Sequence, residues 1–152
     1  MKSSLARPIS LWLFTSLTTL SFGLVACGSE DGDDDDVALT FDEQVEEGGA
    51  LYGEYCSDCH GDAGQGTDNA PALVGEGALP EEPPEDRQFR TNSFNTAADI
   101  YVFADEYMPA NDPESVSDAK LIKILAFALH ANGIDLDEPL TLDNADEVVI
   151  HE

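Results

Sequence analysis

Between Thr40 and Gly133 the chain switches between stretches with helical periodicity and stretches with none. Phe41, Val45, Gly48, Tyr52 and Cys56 recur at steps of three and four residues, which places them on one helical face. Thr40 stands where an N-cap is expected, and Asp42, Glu43, Glu46 and Glu47 follow it, favoured by the positive start of a helix. This pattern predicts a helix from Phe41 to about Cys59. Gly61, Gly64, Gly66 and Pro71 then break it into an irregular loop through Gly75, and the proline-rich residues 76–95 continue as loop. Thr96-Ala97-Ala98-Asp99 has the form of a capping box, opening a short helix through Ile100, Tyr101, Phe103 and Ala104 that Pro109 ends. The strongest pattern is DAKLIKILAFALHAN after Ser117, a cap. Its stripe of Leu121, Ile124, Leu125 and Ala128 is broadened by Ile122, Phe127 and Leu129, and Gly133 is its stop. Only LTL at 140–142 and EVVI at 147–150 suggest short extended pieces.

The ends of the chain differ from this middle. Lys2 and Arg7 precede the apolar run LWLFTSLTTLSFGLVA, and no acidic residue appears before Glu30, the pattern of a secretory signal. As a membrane span the run is marginal, being 16 residues interrupted by Ser and Thr where a spanning helix needs about 20. Leu24-Val25-Ala26-Cys27 resembles the lipobox of bacterial lipoproteins, which implies cleavage after Ala26 and lipid on Cys27. Residues 1–26 are therefore read as a cleaved signal and 27–39 as a lipid-anchored acidic tether, with 40–133 as the folded domain and 134–152 as an acidic tail. Asp31, Asp33 and Asp35 alternate like calcium ligands, but Asp36 occupies the place where a calcium loop needs glycine.

Charge narrows the partners. The formal net charge is −26, and cleavage would remove two of the six basic residues and none of the 32 acidic ones, for −28. Such a surface repels phosphate backbones, so nucleic acid is not expected as a partner, whereas a partner with a basic docking surface is.

Cys56 and Cys59 carry the distinctive chemistry, in EYCSDCHGDAGQG. A structural zinc needs four ligands, and there is no second CxxC and no paired histidines. A thioredoxin-like pair would open a helix in a βαβ unit, whereas this pair closes one in an all-helical chain. A disulfide across two residues would constrain the unfolded chain little. Covalent haem uses all five residues of C-x-x-C-H: two thiols on one side of a turn meet two vinyl groups, and His60 follows beneath the porphyrin. The pentad alone also occurs by chance.

Its surroundings resemble the small class I cytochrome c family over roughly residues 41–131. Gly48 and Tyr52 precede the pentad; Gly61, Gly64 and Gly66 follow, then Pro71-Ala72-Leu73-Val74-Gly75, Met108-Pro109 and a closing amphipathic helix. The resemblance implies an all-α cytochrome c fold, with three to four helices packed around one covalently attached haem c. It implies that Gly48 and Tyr52 let the first helix cross the last near Leu125 and Phe127. The Pro71 carbonyl would fix the His60 ring, Leu73 would lean on the haem and Met108 would be the sixth ligand, raising the reduction potential relative to an imidazole. Arg87 and Arg90 lie in the loop that in relatives passes near the haem propionates, which a guanidinium can bind. The family's usual tryptophan there is missing. His130 and His151 are rival ligands that are expected to be solvated instead, and the tail beyond Ile134 exceeds the family's usual ending.

The resulting expectation is a lipid-anchored, extracytoplasmic electron carrier on a bacterial membrane, serving redox proteins and acting on no small-molecule substrate. Two alternatives stay open. One is a haem-bearing subunit of an oxidoreductase complex; the other is a haem enzyme or gas-binding protein with an open sixth position.

Overall fold

The computed structural model describes residues 39–83 and 90–151. The signal, Cys27, the tether up to residue 38 and Arg87 lie outside them. Helix α1 spans Phe41–Tyr55 and opens on the expected capping box: the Thr40 hydroxyl accepts from the Glu43 N–H, while the Glu43 carboxylate accepts from the Thr40 N–H at 2.8 Å. The helix does not run on to Cys59 as its periodicity predicts. It stops at Tyr55, and a single further turn, α2 (Ser57–His60), follows a kink at Cys56. Ser57 supplies a reason, since its hydroxyl donates back to the Gly53 carbonyl at 2.7 Å, a local bond that bends helices. The kink leaves Cys59 exposed, Cys56 half-buried and His60 buried.

Helix α3 (Ala97–Tyr107) begins where Asp99 accepts from the N–H groups of Asn95 and Thr96, both at 2.9 Å. It ends one residue before Met108, which is extended at φ −125° as a residue preceding proline prefers. A short 3₁₀ turn, Pro113–Ser115, leads to α4 (Asp118–Ala131). Ser117 holds the N-cap position of α4 but its side chain makes no capping bond. Gly133, at φ +83°, stops the helix as expected.

Helices α1 and α4 cross almost backbone to backbone. A Cβ at Gly48 would lie 1.9 Å from the Lys123 carbonyl oxygen, so only glycine permits the approach. One turn further on, Tyr52 packs its ring 5.2 Å from that of Phe127. The broad stripe of α4 divides its work: Ile122, Ala126 and Leu129 enter the main core with Phe41, Phe94 and Ile100, while Leu121 and Ile124 join Tyr52 and Val116.

Residues 134–151 form a strap over this core. Leu140 is completely buried, and its backbone N–H and carbonyl bond the side-chain amide of Gln44 on α1 at 2.7 and 2.8 Å. The N–H groups of Ala97 and Ala98 then donate to the carbonyls of Val148 and Ala145. Among the described residues no strand forms: LTL runs into turns, and EVVI contributes a single antiparallel bridge, Val149 to Thr96. His151 departs from expectation. It is half-buried, with its ring Nε2 donating to the Leu79 carbonyl at 2.9 Å, whereas His130 is exposed and pairs with Asp135 at 2.6 Å.

Candidate functional site

An apolar cavity of about 210 Å³ lies between the α2 turn, α3 and α4. The α4 stripe read from sequence, Leu121, Ile124, Leu125 and Ala128, forms one wall, and Ile100, Tyr101 and Phe103 of α3 form another. Cys56, His60, Pro71, Leu73, Arg90 and Met108 all line it. Cys59 does not, but faces solvent one residue before His60. Helical and loop chemistry thus bring most of the expected residues to one place.

His60 is fixed by a chain of local bonds. Its Nδ1 donates to the Pro71 carbonyl at 2.7 Å, which leaves Nε2 as the nitrogen with a lone pair. The loop carrying Pro71 is tied back by Gly66 N–H to the His60 carbonyl at 2.8 Å, and by the N–H groups of Leu73 and Val74 to Gly64 at 2.8 and 3.0 Å. The Thr67 hydroxyl reaches the Cys59 carbonyl, and the Tyr52 hydroxyl reaches that of Gly61, each at 2.5 Å. Gly66 sits at φ +81°, and a Cβ there would meet the Ala72 nitrogen at 2.7 Å.

Cys56 and Cys59 are free thiols. Burial, and secondarily the neighbouring Cys59, push the Cys56 thiol up to about 11. A Cys56 thiol raised in this way is poorly suited to dithiol exchange at neutral pH. Among the described residues no cluster of three or more His, Cys, Asp or Glu could hold a metal ion.

Arg90 is buried at the cavity edge, stacked 3.5 Å above the Phe94 ring, with Nε donating to the Asn92 carbonyl at 2.9 Å and a terminal nitrogen to that of Glu81. Burial pulls its guanidinium below the ordinary value, against the opposing pull of Glu82 and Asp99. Among the described residues no carboxylate lies within ion-pair distance of it. The guanidinium lies in the field of Glu82 and Asp99 but forms an ion pair with no described residue, so it can still take up an anion at the cavity edge.

Two features of the site escaped the sequence reading. Tyr101 lines the cavity with its hydroxyl hydrogen-bonded to Asp118; burial, Asp105 and that bond push it up to about 12. Asn132 donates to the Leu73 carbonyl at 2.8 Å and accepts from the Gly75 N–H at 3.1 Å, clamping the loop to the end of α4. In sequence Asn132-Gly133 signals only a helix stop.

The residues present fit a haem. The cavity walls are apolar, His60 offers one ring nitrogen and Met108 a thioether, Cys56 and Cys59 lie beside them, and Arg90 offers a charge to a carboxylate.

Comparison with known proteins gives a consistent picture. Residues 43–127 match the family model described as Cytochrome C oxidase, cbb3-type, subunit III. Among solved structures, a chain of the Sulfane Dehydrogenase SoxCD from Paracoccus pantotrophus is similar at 27% identity and a TM-score of 0.52, over 86% of this chain and 68% of that one. No curated protein matches the sequence significantly.

Proposed function

Because the chain belongs to the family of Cytochrome C oxidase, cbb3-type, subunit III, and is a class I c-type cytochrome, we propose that it is a membrane-anchored extracytoplasmic electron carrier with His60 and Met108 as axial ligands. Haem, bound there, supplies a one-electron ferric/ferrous couple. Cys56 and Cys59 would provide the two thioether links. The carrying observation is His60, buried against the cavity with Nδ1 committed to Pro71, so that Nε2 is the ring atom left to ligate. Pro71 makes that ligand more basic, Leu73 would exclude water beside it, and Arg90 would take the charge of a propionate.

Reduced-minus-oxidised absorption spectra of the purified protein test the reading, together with extraction in acidified acetone. Haem should stay with the polypeptide, and a band from sulfur-to-iron charge transfer should appear in the near infrared. Haem that extracts freely would remove covalent attachment, and with it the reading.

Cys27 would hold the domain at a bacterial membrane through its lipid, since two or more acyl chains anchor stably. No described helix is long and apolar enough to cross a membrane. Cys27→Ser should release the protein from washed membranes, and retention there would count against the anchor. The acidic surface would steer a basic docking face toward the domain.

Both comparisons also favour a second reading, in which the domain is a haem-bearing subunit docked on an oxidoreductase complex, because the proteins named in them are a subunit of an oxidase and a chain of a dehydrogenase. Co-purification at physiological salt separates a stably docked subunit from a mobile carrier.

A further inference from the structure

Leu79 is, among the described residues, the only non-glycine residue in the left-handed region, at φ +45°. It is buried, and its side chain lines the cavity. A branched side chain persists in that conformation only where its surroundings hold it. Three donors grip this short stretch, one of them from the far end of the chain. On one side His151 donates from Nε2 to the Leu79 carbonyl at 2.9 Å; on the other, Arg90 and the Phe94 N–H both donate to the Glu81 carbonyl, the latter at 2.8 Å. The strap delivers His151 to its place through successive bonds to the start of α3, ending with the Ile150 N–H on the Asn95 carbonyl at 3.0 Å.

We propose that His151 is a positioning residue of the haem cavity: by holding the Leu79 carbonyl it keeps the Leu79 side chain in the cavity wall and so raises the reduction potential. This rests on the reading of the cavity as a haem site. The physical link is hydration. Ferric iron carries one more positive charge than ferrous, so a wall that admits water favours the ferric form, and a closed apolar wall favours the ferrous one. Without the imidazole donor, the Leu79 peptide can leave its strained conformation, and the wall opens where the strap had closed it. The segment after α4 thereby tunes a site with which it shares no ligand.

The test compares the haem-bearing parent with His151→Ala and His151→Gln, the second keeping a side-chain N–H donor. Midpoint potentials are read by spectroelectrochemical titration, and hydrogen exchange is followed at the Phe94 amide, whose acceptor lies two residues from Leu79. The alanine variant should show a lower potential and exchange about tenfold faster at Phe94, the factor expected for one lost hydrogen bond. The glutamine variant should restore both. Unchanged potential and exchange in the alanine variant would overturn the proposal, as would an equal shift in both variants. If the alanine variant does not fold, the glutamine variant decides, a parent-like potential supporting the donor role and a lowered one refuting it. Absence of covalent haem in the parent would instead sink the haem reading itself, and the proposal with it, before any variant is compared.

Discussion

The two sides of the cavity are built by opposite means. On the His60 side, residues 56–75 are held mainly from within: histidine, proline carbonyl, glycine turns and threonine hydroxyl all bond within twenty residues of one another, and Tyr52 and the Asn132 clamp add to them from outside. On the Met108 side, residues 79–108 are held by groups from far away, with Leu79 on His151, Ala97 and Ala98 on the strap, and Tyr101 on Asp118 of α4. The first side is rigid by local chemistry, the second by tertiary arrangement. A perturbation confined to one turn should therefore damage the first side most, while the second should respond to distant changes.

Gly66→Ala probes the local side and carries the largest expected effect. Its Cβ would need both a left-handed backbone and space now taken by the Ala72 nitrogen, 2.7 Å away. A loss of about 3 kcal/mol in denaturant unfolding is expected. A loss below about 1 kcal/mol would show that the loop is softer than its hydrogen bonds suggest.

Met108→Ala probes the other side. Removing the side chain should cost about 2 kcal/mol, while leaving haem covalently attached through the untouched Cys56 and Cys59. The potential should fall and carbon monoxide should bind the reduced protein readily. Binding no better than in the parent would mean that the sixth position was never held by Met108, and would return the open-site alternative to consideration.

Asp99→Asn has the smallest effect and sharpens the contrast through pH. Burial pushes the Asp99 carboxyl up, but the N–H groups of Asn95 and Thr96, the Thr96 hydroxyl and the Arg90 charge outweigh it, leaving the carboxyl below its ordinary value of 3.8. A group lowered on folding stabilises above its unfolded value, and that contribution is lost as pH falls through the folded one. The variant should therefore be about 1 kcal/mol less stable at neutral pH, as for a lost helix cap. The gap to the parent should close below pH 3.8. A gap independent of pH would argue that shape rather than charge matters at this cap.

The same contrast explains what could be read from the sequence. The helices, the Thr40 and Asp99 caps and the glycine loop are local features, so residue spacing was enough to find them. The kink at Cys56 was invisible because periodicity continues through it; Ser57 supplies a competing bond that no hydrophobic pattern records. The strap was missed for a different reason. Residues 134–151 look like a solvated acidic tail, and their role depends on Leu140 meeting Gln44, 96 residues away. His151 and Asn132 matter through backbone carbonyls they reach only in the folded protein. Polar residues that act on a distant main chain leave no periodic trace.

The bare α-carbon of Gly48 against the Lys123 carbonyl also has a meaning in polymer terms. The crossing joins positions about 75 residues apart, and closing a flexible loop of that length costs on the order of 4 kcal/mol in chain entropy. Every residue lining the cavity, from Cys56 to Arg90 and Met108, lies within that loop or on the α4 segment that closes it. Any tie made inside it, including the one we propose between His60 and Met108, shortens the free chain that the crossing must gather. Helix crossing and cofactor ligation therefore lower each other's entropic cost, and either one lost should weaken the other by more than its own contacts account for.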